Sequence, residues 1–204
     1  MDRQIGRVLG RLAELGLDRD TIVVFTSDNG GERFSDTWPF TGRKTELLEG
    51  GIRIPAIVRW PGVSGPGTTS DQPIMTMDWL PTFLAAAGGA PRADFPSDGL
   101  DLRAAVAGRA LPDRPLFWRF RNHGQEAARH GRWKYLKIEG NSFLFDVVAD
   151  PLERANLKDR HPNVFAGLVA AWQAWNAGML PNDPEASSYG FTGEMLADHF
   201  GVED

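Results

Sequence analysis

The chain has 204 residues, of which 42% are hydrophobic, 24% charged and 10% aromatic, with a formal net charge of −5. That balance describes a folded chain with one good core or a core plus a small satellite domain, and it argues against disorder and against a basic face for nucleic acid. Cysteine is absent, which excludes disulfides, thiolate metal sites and a cysteine-derived nucleophile within these residues.

The apolar residues Ile5, Val8, Leu9, Leu12 and Leu15 recur at helical spacing, so residues 1–15 are predicted to form an amphipathic helix stopped by Gly16. Either Asp2 caps it or the chain starts partway along a longer helix. No apolar leader core follows Met1, and no run approaches the ~18 apolar residues of a membrane span, so neither a signal peptide nor a span is expected. Residues 21–27 (TIVVFTS) are continuously apolar rather than alternating, the pattern of a strand covered on both faces, and suggest a parallel α/β sheet. Residues 30–51 read as loop. Residues 54–60 (IPAIVRW) form a second candidate strand, ended by Pro61 and Gly62 and followed by another loop. Residues 76–89 are predicted helical, with Thr76 and Asp78 as capping candidates, Pro81 near the first turn and paired glycines at the end.

After a proline- and glycine-rich stretch, the texture changes. Residues 116–120, 126–138 and 142–148 are aromatic and β-rich, and predict a small antiparallel sheet. Residues 161–178 set Val164, Leu168, Trp172 and Trp175 on one helical face, with Pro162 near the start and Gly178 at the end, so this helix should pack on the sheet. Trp172 and Trp175 are accordingly core candidates. The tail from Leu180 onward has weak patterning and is expected to wrap the surface. The domain division that follows is 1–112 and 113–204.

Two features could carry chemistry. Asp28 and Asn29 stand at the carboxyl end of the first predicted strand, where ligands gather in open α/β sheets, and both offer hard oxygens to Ca²⁺ or Mg²⁺. An Asx-type turn explains the same residues. Lys44 is a compact cation suited to contacting an oxyanion, and equally a solvated loop lysine. Gly50 and Gly51 beside Glu49 and Arg53 suggest a constrained turn pinned by an ion pair. Residues 64–68 (SGPGT) read as a turn-rich loop. His123 is either a pocket residue or a solvated turn histidine; His130, His161 and His199 have no metal-ligand spacing.

The order and spacing of these segments resemble the sulfatase family, arylsulfatase-like and of the alkaline-phosphatase-like superfamily. The resemblance runs through "TIVVFTSDNGG", Lys44 five residues before "EGGIRIPAIVRWPG", "DWLPTFLAAAG", "GLDL", "RHGRWKYL" and "LFDVVADPLERANL", from Gly6 to about Trp175. It implies an α/β fold: the C-terminal part of an alkaline-phosphatase-like α/β domain, then a small antiparallel sheet plus helix subdomain. It implies Asp28 and Asn29 as ligands of a divalent cation, usually Ca²⁺ (or Mg²⁺), and Lys44 as a contact to sulfate. Asp150, Pro151 and Glu153 match a strand and turn that shape a loop. The family's nucleophile is a formylglycine made from Cys or Ser in a Cys/Ser-X-Pro/Ala-X-Arg motif, accompanied by an Asp-Asp metal pair and catalytic His and Lys residues. None is found here, so no catalytic residue is assigned.

The chain is therefore expected to be the C-terminal portion of a sulfatase, inactive alone, with the missing N-terminal half as its structural complement. Its substrate would be a sulfated small molecule or carbohydrate, and the resemblance favours export. A phosphomonoester or phosphonate hydrolase of the same superfamily and a non-catalytic module are the alternative readings.

Overall fold

The computed structural model describes residues 1–32 and 34–182. They form two compact units, one from residues 1–26 and 55–112, the other from residues 27–54 and 113 onward.

In the first unit, helix α1 (Asp2–Glu14) occupies the predicted position, but none of its residues is buried, and Val8 on its apolar face is 62% exposed. Strand β1 (Val23–Thr26) pairs with the strand Ala56–Arg59, β2, with Thr26 opposite Ala56 and Val23 opposite Arg59. The pair is antiparallel, not parallel as the apolar run suggested. The register gives the reason: the connection leaves β1 and enters β2 at the same end of the pair, and a parallel partner would need a crossover to the opposite end. Neither strand is sheathed on both faces; β1 is half-buried throughout and Ile57 of β2 is 63% exposed.

Further along, a 3-10 turn (Thr76–Asp78) leads into a helix at Trp79–Ala86, which satisfies the helical expectation for residues 76–89. The buried Asp78 carboxylate fixes this corner by accepting the Met75 N–H at 2.7 Å and the Leu100 N–H at 2.8 Å. Thr82 Oγ1 donates to Asp78 O at 2.6 Å and accepts from Leu102 N at 2.8 Å, so the 99–102 segment is tied to the helix start.

In the second unit, four antiparallel strands run in spatial order β3 (Leu116–Phe120), β4 (Gln125–His130), β5 (Trp133–Ile138) and β6 (Asn141–Asp146). The predicted 126–138 stretch is two strands, because Gly131, with φ of 56°, turns the chain between His130 and Trp133. A second tight turn, Glu139 and Gly140 with φ of 49° and 86°, joins β5 to β6 in the positive-φ geometry that two-residue hairpins require.

Alternation along the strands gives the sheet two buried faces. On one, Ala128, Tyr135 and Leu144 meet Leu168 and Trp172 of the long helix Pro162–Ala177, with Trp175 packed against the cluster. The Trp172 indole N–H donates to Trp118 O at 2.9 Å, and the Phe117 and Trp175 rings stack at 5.3 Å. On the other face, Ala127, Leu136, Ile138 and Phe145 are covered by Leu47, Leu48 and Ile52. The segment around Lys44, read from sequence as loop, thus contains a one-turn helix (Glu49–Ile52) and forms one layer of the core. His199 and most of the tail predicted to wrap the surface lie outside the described residues. Among the described residues, no helix is long and apolar enough to cross a membrane.

Candidate functional site

Residues 27–54 fold back on themselves through backbone contacts that exclude side chains. Gly30 N–H donates to Gly51 O at 2.8 Å, Lys44 N–H to Gly31 O at 2.9 Å and Gly50 N–H to Thr41 O at 2.7 Å. A Cβ at Gly30 would lie 1.8 Å from Gly50 O, and one at Gly50 would lie 2.2 Å from Gly42 O. No larger residue fits where these strands of backbone pass. The structure therefore joins the Asp28–Asn29 turn, the Lys44 segment and the Glu49–Ile52 helix into one piece.

The side chains of the three candidates lie as follows. Asp28 Oδ1 accepts the Asn29 N–H at 3.0 Å and the Ser27 hydroxyl at 3.4 Å, and Asn29 Nδ2 donates to Gly30 O at 2.9 Å. Both side chains thus bond back onto their own turn, but to the next residue rather than to the N–H two residues on that an Asx turn would use. This bonding engages neither Asp28 Oδ2 nor Asn29 Oδ1. Lys44 Nζ stands 3.3 Å from Glu32 Oε2 in a half-exposed ion pair. Among the described residues no group of three or more His, Asp or Glu is arranged to hold a metal ion. Asp28 and Asn29 are the right donor chemistry for a hard cation, but two residues fall well short of the 6–8 oxygens that Ca²⁺ takes.

Beneath this surface lies a buried ionic cluster. Lys134, fully buried on β5, donates to Glu49 Oε1 at 3.0 Å and stands 2.8 Å from Glu153 Oε1. Arg129 Nη1 reaches Glu49 Oε2 at 3.3 Å and Arg53 Nη1 approaches it at 3.7 Å, so the ion pair expected at the Glu49 turn is present with two further cations added. The Glu49 N–H donates to Glu153 Oε2 at 2.6 Å. Burial works to raise the Glu49 pKa, yet the Lys134 and Arg129 charges outweigh it and hold the carboxyl below its ordinary value. Burial dominates at Glu153, helped by the nearby Glu49 charge, and pushes its pKa up against the opposing pull of Lys134. Glu153 shapes its loop as the sequence suggested, with φ of 54°.

Gln125, buried at the start of β4, was not singled out in the sequence. Its Oε1 accepts the Leu47 N–H at 2.9 Å, and its Nε2 donates to Thr45 O at 2.8 Å and Asn122 O at 3.1 Å. Lys134 was not singled out either: it shares a strand face with Leu136 and Ile138, but that spacing does not tell which carboxylates meet it, and a lysine is rarely buried without such partners. His123, with φ of 58°, pairs its Nδ1 with the Glu139 carboxylate and so braces its turn against the β5–β6 hairpin. His130 pairs with Asp113 at 2.8 Å, and His161 precedes the long helix with its ring 4.7 Å from that of Trp133.

This architecture has close counterparts. It matches the structure of Ps i-CgsB in complex with k-i-k-neocarrahexaose with a TM-score of 0.80 and 26% identity, over 85% of this chain and 40% of that one. It also matches the phosphonate monoester hydrolase of Agrobacterium radiobacter, with a TM-score of 0.65 and 25% identity, over 88% of this chain and 39% of that one. The class is that of the alkaline-phosphatase-like α/β proteins.

Within that class the chain belongs to the sulfatase family, whose family model, Sulfatase, matches residues 1–90. It is 39% identical to the N-acetylgalactosamine-6-sulfatase of Canis lupus familiaris over 66% of this chain, and 32% identical to the steryl-sulfatase of Mus musculus over 89%. These matches span 27% and 36% of the two relatives' own lengths.

Proposed function

We propose that this chain is the C-terminal part of a sulfuric ester hydrolase and contributes one share of its sulfate and metal site. In this reading the Lys44 ammonium contacts the sulfate group, while Asp28 and Asn29 give oxygens to a divalent cation, Ca²⁺ or Mg²⁺. One observation carries the reading: the Lys44 N–H to Gly31 O bond, which ties the lysine's backbone to the Asp-Asn turn. When bound, such a cation offsets the charge that develops as an S–O bond breaks.

The protein's own groups have definite tasks. Lys44 supplies a fixed positive charge to the sulfuryl oxygens. Its present partner, Glu32, is an exposed carboxylate, and exposed ion pairs contribute only about 0–1 kcal/mol, so an arriving dianion or monoanion displaces it at small cost. Asp28 and Asn29 spend one oxygen and one amide group on holding their turn, which leaves Asp28 Oδ2 and Asn29 Oδ1 as the cation donors. The remaining ligands and the formylglycine nucleophile are assigned to residues outside these 204, in keeping with the absence of cysteine. The substrate class is a sulfated carbohydrate or small molecule, in line with the names of the relatives.

The test compares the full-length gene product on the sulfate and phosphate esters of one aryl alcohol. Dominant sulfatase turnover, lost in Lys44→Ala, is expected. Dominant phosphatase turnover would favour the second reading, a phosphonate or phosphomonoester hydrolase, which rests on the similarity to the phosphonate monoester hydrolase. The 204-residue chain by itself is expected to show no sulfatase turnover above background and only weak Ca²⁺ binding by calorimetry. Turnover by this chain alone would mean that the nucleophile lies within it.

A further inference from the structure

The sulfate contact depends on where a lysine stem points, and Lys44 lies on a segment with unusual backbone geometry. Thr45, the next residue, has φ of 75°. For a β-branched residue this is a strained conformation that persists only where surrounding structure over-determines it. The constraints are visible. Gln125 donates to Thr45 O and accepts from Leu47 N, so one buried side chain grips both sides of Glu46. Glu46 itself is buried, with its Oε2 accepting the Arg43 N–H at 3.2 Å, which closes the 43–46 turn from below. Two residues after Leu47, Glu49 is fastened at its carboxylate by Lys134 and Arg129 and at its N–H by Glu153. Ahead of Lys44, Thr41 Oγ1 donates to Leu152 O at 2.6 Å.

We propose that Gln125, backed by the Lys134–Glu49–Glu153 cluster, is a positioning residue for Lys44: the small antiparallel sheet sets the direction from which the ammonium meets a bound sulfate. The proposal rests on the reading of Lys44 as the sulfate contact. Its physical basis is that Gln125, Arg129 and Lys134 occupy the same sheet face as Ala127, Leu136 and Ile138, so the polar and apolar contacts that fix the 41–52 segment act together. A lysine on an unconstrained loop would lose its ordering entropy on every encounter with an anion; here the backbone has lost it in folding. Gln125 touches no substrate in this account and acts only through the segment it grips.

The experiment is a calorimetric titration of the full-length gene product with inorganic sulfate, on the wild type, Lys44→Met, Gln125→Met and the double variant. Gln125→Met keeps shape and removes all three hydrogen bonds. Sulfate affinity is expected to fall about fivefold in Gln125→Met, as the loss of net hydrogen bonding suggests. No further fall is expected when Lys44 is already methionine, since two residues acting through one contact are coupled. A Gln125→Met protein that binds sulfate as the wild type does overturns the positioning role while leaving Lys44 as the sulfate contact. An equal fall in both backgrounds overturns it as well, because Gln125 would then act elsewhere. If Lys44→Met binds as the wild type does, or the full-length wild type does not bind sulfate saturably, the sulfate-contact reading fails first and takes this proposal with it.

Hydrogen exchange on the wild type keeps the claim testable should Gln125→Met fail to fold. The Lys44 and Leu47 amides are expected to be protected to the level of the β4 and β5 amides. Exchange at the rate of exposed loops would overturn the proposal.

Discussion

The two units bury their apolar surface to very different extents. In the unit built on the four-stranded sheet, both faces are covered, and Leu48, Leu136, Ile138 and Leu144 are shut off from solvent. In the other, a helix with a well-formed apolar stripe buries none of its residues, and Ile57 and Leu80 stand largely in water. Periodicity is the same kind of signal in both. It reports that a face is meant to be covered, and it is silent about what covers it. The first unit's open faces are what the proposed N-terminal complement would occupy, whereas the second carries its own core.

The sharpest way to break this comparison is to attack the second unit where its stability is most concentrated. Lys134→Met removes the cation between two buried carboxylates and leaves Glu49 and Glu153 facing each other. Breaking a buried pair in this way costs about 3–5 kcal/mol. Urea unfolding followed by tryptophan fluorescence should show that loss in the midpoint. A change within about 0.5 kcal/mol, the range for ordinary surface substitutions, would mean that the cluster does not hold the 41–52 layer onto the sheet.

A matched pair of truncations sharpens the contrast. Leu136→Ala opens a cavity in a closed core and should cost about 2–5 kcal/mol. Val8→Ala, on the exposed stripe of α1, should stay within about 0.5 kcal/mol in the isolated chain. If the two variants shifted the urea midpoint equally, the asymmetry of burial would carry no energetic meaning.

What could be read from the sequence follows the same division between local and distant causes. The long C-terminal helix was legible because Pro162 and Gly178 bracket a single apolar face, and the sheet because aromatic runs alternate with turn residues. Asp28, Asn29 and Lys44 stood out because their neighbours along the chain form recognisable motifs. The antiparallel direction of β1 and β2 was not legible: an apolar run records cover, while direction is decided by where a long connection returns. Gln125 and Lys134 were missed for a related reason. Their partners Leu47 and Glu49 lie 78 and 85 residues away, and no local pattern announces a contact across that interval. The self-bonding of Asp28 and Asn29 needed coordinates as well, since the same residues serve a turn and a cation equally well on paper.

The smallest expected effect concerns acid–base balance inside the cluster, where two carboxyls share one lysine and shift in opposite directions. Glu49 has a folded pKa below its ordinary 4.5, so the stability it contributes is complete above that value and is lost as pH falls through the folded pKa. Glu153 has a folded pKa above 4.5. The folded protein therefore favours its acid form, and that contribution is present below 4.5 and is lost as pH rises through the folded pKa. Glu153→Gln keeps an oxygen for the Glu49 N–H and removes the titrating group. Urea midpoints measured across pH should therefore flatten on the alkaline side of 4.5 in this variant while the acid-side decline, which belongs to Glu49 and the other ion-paired carboxylates, persists. If the alkaline-side slope were unchanged, burial would not be what governs Glu153, and the cluster would be two independent ion pairs rather than one lysine divided between unequal partners.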